Sequence, residues 1–131
     1  MAYELNPYSL NVTLVAGADL SAAQYKFVKL NSSGQAILVA AATDKPIGVL
    51  QNSPASGGEA NVTISGGTKF VGSGSIAVGA QIGSDANGKG AALVAGTDTT
   101  KYVVGTVLVA TGADGEIGTA VIDATAPHRA A

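Results

Sequence analysis

Apolar and polar residues alternate along this chain in short runs, separated by turn residues about every 8 to 12 positions, the rhythm of an all-β sandwich or barrel. The runs Val12 to Ala16, Tyr25 to Leu30, Ala36 to Ala40, Ile47 to Gln51 and Ala60 to Ile64 predict strands. Lys69 to Val71, Ser75 to Val78, Gln81 to Ile82, Ala91 to Ala95, Tyr102 to Ala110 and Ile117 to Asp123 complete the set. Tyr102 to Ala110 is the longest run and the expected central strand. No window of about 11 residues carries the i, i+3, i+4 apolar stripe of a helix. Asp19 to Gln24 suits one helical turn capped by the Asp19 carboxylate, and nothing longer. Ser33-Gly34, Asn87-Gly88 and Asp114-Gly115 are turn dipeptides whose second residue tolerates positive φ. Gly57-Gly58 and Gly66-Gly67 are expected to interrupt the chain between strands.

The pattern occurs twice. Val28 to Gly34 overlays Ile82 to Gly88, and the register holds through Thr43-Asp44 and Thr97-Asp98. Three extra residues follow in the second copy. Ile47 to Leu50 then matches Val104 to Val107, and Gly58-Glu59 matches Gly115-Glu116. Each copy, about 19–65 and about 73–122, suits a unit of four strands, too few copies for a solenoid. The expected fold is all-β: a small barrel or sandwich of short antiparallel strands built by internal duplication, with little or no helix. Its parts are an N-terminal arm (1–11), a β domain (12–124) and a flexible tail (125–131).

Composition narrows the function. Only 12% of the 131 residues are charged, about half the usual share, and the net charge is −2. Seven scattered Lys and Arg make no basic face for nucleic acid, and no Trp is present to stack bases. Cysteine is absent, which removes disulfides and thiolate metal sites. The first residues lack the basic and apolar regions of a secretory signal, and no apolar stretch is long enough to span a bilayer as a helix. Yet 47% of residues are hydrophobic, mostly small ones. So little surface charge on so apolar a chain points to burial against other chains.

Reactive constellations lack partners. Gly83 to Gly90 matches a phosphate loop through Lys89 but has Gly90 where the metal-binding Ser or Thr belongs, so a turn is expected. Asp85-Ala86-Asn87-Gly88 starts like a calcium loop, yet Gly96 stands where the bidentate Glu would be. Glu59 and Glu116 recur after Gly without a recurring His or Lys, which suits solvated strand starts. His128 is the one histidine, too few for a triad or histidine metal site. No catalytic, cofactor or metal residues are therefore assigned. The partner-binding residues expected are Tyr3, Leu5, Pro7, Tyr8 and Leu10 of the arm, because tyrosine pairs an apolar ring with a water-tolerant hydroxyl. The arm could fold back on its own domain or cross to a neighbour.

The order of elements resembles the capsid cement (head decoration) proteins of tailed bacteriophages. The likeness runs from Val15 to Leu20 through Tyr25 to Leu30, Asp44 to Gln51, Gly57 to Gly66, Ile76 to Ile82 and Asp85 to Gly88. It rests on order and spacing, not on one motif. It implies a homotrimer on the outside of a phage capsid, bound to the major capsid protein, stabilising the shell against the pressure of packaged DNA. It also implies no catalysis and no cofactor. No nucleic acid, membrane or small-molecule substrate is expected as a partner, and the expected location is the virion after assembly in the host cytoplasm. A tail, fibre or surface-array subunit is the alternative. A carbohydrate-binding module is disfavoured, since outside the arm only Tyr25, Phe27, Phe70 and Tyr102 could present rings to a sugar.

Overall fold

In a computed structural model of the protein the structure is described for residues 9–131. Eleven strands and no helix occur among them. They are β1 (Leu10–Val15), β2 (Phe27–Leu30), β3 (Ala36–Leu38), β4 (Gly48–Leu50), β5 (Glu59–Val71), β6 (Gln81–Ser84), β7 (Gly90–Ala92), β8 (Tyr102–Val103), β9 (Gly105–Val109), β10 (Ile117–Asp123) and β11 (His128–Arg129). Nine of them form one antiparallel sheet that curls into a half-barrel. The all-β expectation from the alternating runs is the observed fold.

The sheet order is a palindrome: β3-β2-β4-β5, then β10-β9-β6-β7, with β1 added beside β5. The registers repeat as well. Val28 pairs with Leu38 as Ile82 pairs with Ala92, and Val28 pairs with Gly48 as Ile82 pairs with Gly105. Leu14 faces Ala60 on β5 as Phe70 on β5 faces Gly118 on β10. Two equivalent units follow, residues 10–65 and 66–123, joined inside β5. Each contributes five strands to this sheet, because β1 and the second half of β5 play the same part. Both of those pieces lie outside the four-strand copies expected from the repeat. Glu59 and Glu116 are not equivalent, contrary to the expected match. The positive φ of Gly57 (83°) and Gly115 (88°) and the pairing of Ala16 and Gly72 with the following turns set Gly58 against Glu116, one residue away.

Three other expectations change. Gly66-Gly67 does not end a strand: β5 runs through it for 13 residues, and is the central strand instead of Tyr102 to Ala110. The ladder with β1 shifts register between Leu10 and Asn11, and Gly66 takes φ 113°, so the strand bends without breaking. The long run 102–110 divides at Val104 into β8 and β9. The residues expected as a fraying tail are also docked. β11 pairs with β8, and Ala130 is 3% exposed against Leu93 and Val103. The three extra residues of the second copy lie between Asp98 and Val104, the stretch that holds β8.

The core duplicates too. Leu20, Val28, Leu50 and Val62 are buried in the first unit, and Ile76, Ile82, Val107 and Ala120 take their places in the second. Burying a side chain of this size contributes about 1.5–3 kcal/mol. Phe27, Val39 and Val49 of the first unit join the second unit's cluster, so the two units share one continuous seam.

Candidate functional site

Many polar side chains of the described residues hold turns. In the β2–β3 turn Asn31 Oδ1 accepts from the N–H groups of Ser33 (3.0 Å) and Gln35 (2.9 Å). In the β6–β7 turn Asp85 Oδ1 accepts from Asn87 and Lys89 N–H, both at 2.8 Å. Gly34 and Gly88 close these turns at φ 75° and 77°. The Gly83 to Gly90 motif is thus a hairpin. The residues after it enter β7, a strand, so no helix terminus faces an anion. The Asp85 carboxylate is engaged by its own backbone, and Lys89 Nζ donates to Asp114 at 2.9 Å. That pairing holds the Lys89 ammonium above its usual range, with Asp114 as the main cause.

Asp44 and Asp98 occupy equivalent places after β3 and β7. Asp44 Oδ2 accepts from Lys29 Nζ at 2.7 Å and from the N–H groups of Ala40 and Ala41. The Lys29 bond, then the two backbone bonds, hold its carboxyl below the usual carboxylate range against the opposing pull of desolvation. Asp98 accepts from Val94 N–H at 2.8 Å and Lys101 Nζ at 3.0 Å, and is lowered by them in that order. Glu116 does a third such job, accepting from Gly112 N–H and Ala113 N–H. Its neighbour in the sequence comparison, Glu59, starts β5 in an exposed position.

A groove of about 340 Å³ opens beside β9 and β10, lined by residues including Gln81, Thr106, Val121, Asp123, Pro127 and His128. His128 is the only imidazole of the chain. Asp123 accepts from Thr125 through its hydroxyl (2.6 Å) and its N–H (3.1 Å), and the hydroxyl is the main cause of its lowered carboxyl. That carboxylate is therefore locked in a turn, and among the described residues no hydrogen bond joins it to His128.

What the surface does offer is apolar. Val15, Val78, Leu108 and Val121 are exposed at the outer edge of β1, before β6 and on β9 and β10. Of the partner-binding residues expected, Leu10 starts β1 opposite Ser65 and is half exposed. Tyr3, Leu5, Pro7 and Tyr8 lie outside the described residues. No signal in the sequence marks the exposed valines, because exposure here depends on how the two units pack. Val15 and Val71 are the same residue in the same place, and only the packing of the two units makes one open and the other covered.

No protein-family profile matches this chain, and no curated protein matches it in sequence. Among solved structures it is similar to the crystal structure of the N base of the head fibre gp8.5 of bacteriophage phi29. The two superpose with a TM-score of 0.65 at 16% sequence identity, over 88% of this chain and 95% of that one. The shared property at that identity is the fold.

Proposed function

We propose that this chain is a structural protein of a phage virion. It sits on the outside of the head as a homotrimer, touches the major capsid protein and stabilises the shell against the pressure of packaged DNA. The observation that carries the reading is the fold likeness to the base of a phage head fibre across nearly the whole of both chains. The chemistry supports it: turn-forming Asp and Asn, apolar exposed strands and scarce charge suit adhesion and load better than turnover. In this reading the chain has no catalytic role and no cofactor. An oligomer touches several capsid subunits at once, so modest contacts multiply through effective concentration.

The same likeness favours a second reading, in which the domain anchors a fibre on the head. Both readings place the chain on the virion surface.

The test is direct. Purified protein is added to emptied heads, bound protein is measured by co-sedimentation, and the temperature of head rupture is recorded. Binding with a raised rupture temperature is the expected outcome. Failure to bind heads overturns the proposal, and binding without a rise favours the fibre anchor, seen by electron microscopy as a projection instead of a flat boss.

A further inference from the structure

The two units of this chain are joined by a seam that is asymmetric. At it, Val71 N–H on β5 donates to the Tyr25 carbonyl at 2.9 Å, and Phe27 N–H donates to the Gly88 carbonyl at 2.7 Å. Gln51 Nε2 donates to Thr68 Oγ1 at 2.7 Å. A Cβ on Gly88 would lie 2.6 Å from Leu38 Cδ1, so the β6–β7 turn is pressed on the first unit. The first unit thus contributes its Tyr25–Phe27 segment and Gln51 just after β4, and the second its β5 edge and its turn.

Duplication leaves one spare copy of each half. The first unit has its own first strand and turn, and there Val15 is 49% exposed where Val71 is 9%. Gly34 has open space about its α-carbon where Gly88 is covered. The second unit has its own copy of the opposing half. Gly79 takes the place of Tyr25, with the same left-handed backbone (φ 84° against 64°) and open space around it. Val78 beside it is 66% exposed, and Leu108, in the place of Gln51, is 37% exposed. Gln81 and Thr106, which replace the buried Phe27 and Val49, line the groove. Among the described residues no strand pairs with the outer edge of β1.

We propose that a second copy of this chain fills these spare halves: the Val15 edge and Gly34 turn of one copy dock on the Val78–Gln81 segment and Leu108 of the next. The occupant is a second copy because the complementary surface is already built into every chain, and the chain itself shows how the halves fit. The contact is heterologous, one face meeting a different face, so successive copies are related by the same step until a ring closes or a filament extends. Gln81 and Thr106 make the groove side of this contact more polar than the internal seam, as befits a contact formed after each chain has folded. The inference rests on the self-association in the proposed function and not on attachment to the head.

Mixing tests it. Light scattering is run on the wild type, on Val15→Glu, on Leu108→Glu, and on an equimolar mixture of the two variants, with circular dichroism confirming the fold. The wild type is expected as an oligomer and each variant at the 12.7 kDa of one chain. The mixture is expected at twice that, because each variant retains the face the other lacks. Variants that keep the wild-type mass, a mixture that stays monomeric, or a monomeric wild type overturns the proposal. Because the chain has no cysteine, Val15→Cys with Val78→Cys gives a second readout on a surface that tolerates both. A short bismaleimide should link copies of the double variant into a ladder and leave either single variant unlinked, and absence of the ladder also counts against the contact. Co-sedimentation with heads is measured in parallel. Variants that bind heads and keep their mass sink the seam alone, whereas a wild type that binds neither heads nor itself sinks the function as well.

Discussion

The Phe70 ring lies directly over the bare α-carbon of Gly90. A Cβ built there would stand 2.6 Å from Phe70 Cδ2, and one on Gly118 would stand 2.8 Å from Phe70 Cε1. In the first unit the same three places hold Leu14, Ala36 and Ala60. The larger ring in one copy is matched by two lost methyl groups. The two copies have diverged with packed volume conserved, as close-packed interiors demand.

Gly90→Ala is therefore expected to destabilise the protein by about 1–3 kcal/mol through overpacking. Phe70→Leu in the same chain restores the first unit's arrangement and should recover most of that loss. Chemical denaturation of the two single variants and the double variant measures the coupling. Gly118→Ala is the control. Its Cβ also meets the Val109 carbonyl oxygen at 2.7 Å, so Phe70→Leu should rescue it less well. Additive effects of Gly90→Ala and Phe70→Leu would contradict the packing argument.

Much of this fold was legible because turn chemistry is local. The Asn31 and Asp85 turns, Asp44 with Asp98, and the strands on either side of those two turns stand where the repeat puts them. The misreadings share another cause: they depend on partners distant in sequence. Gly66-Gly67 looks like a break, yet its place between β1 and β10 keeps β5 in one piece. His128 to Ala131 looks patternless, because Ala130 is buried only when Leu93 and Val103 are beside it. The open seam halves had no signature at all, since exposure follows from docking and not from residue type.

Stability is expected to fall in acid. The carboxyls of Asp44, Asp98 and Asp123 are all held below their ordinary value of 3.8 by hydrogen bonds present only in the fold. A depressed folded value stabilises the protein above the unfolded value and is lost as pH drops through the folded one. Melting temperature should thus be flat from neutral pH down to about 5 and decline below about 4. Asp44→Asn, which keeps an acceptor but loses the charge facing Lys29, should cost about 1 kcal/mol at neutral pH. The variant and wild type should converge at the acid end, and a constant difference across the range would refute the assignment.

The C-terminal strand should protect itself from proteolysis. Ala130 N–H donates to the Lys101 carbonyl, Gly96 N–H donates to the Ala130 carbonyl, both at 2.9 Å, and the Arg129 guanidinium lies over the Tyr102 ring. Ala130→Asp puts a charge in that apolar niche and should favour local opening by about 1–3 kcal/mol. Trypsin cleavage after Arg129 tracks the open population and should accelerate roughly tenfold or more, while the main unfolding transition moves little. Equal cleavage rates would mean the strand is already open in solution.

Gly66 is the last point on which the duplicated sheet turns, because it sits where the first unit ends and the second begins. Its φ of 113° lies outside the region that side chains readily adopt. A Cβ there would also stand 2.9 Å from the Ser9 Cα, which is backbone and cannot swing aside. Gly66→Ala must either adopt a strained conformation, costing about 1–2 kcal/mol, or push β1 away from β5. The second response would weaken the β1 ladder, whereas the β5–β10 ladder on the far side of the bend would stay. Hydrogen exchange separates the two. Faster exchange in β1 and the first half of β5, with β10 unchanged, is expected, and uniform loss of protection would show that the bend holds both units together instead of orienting one strand.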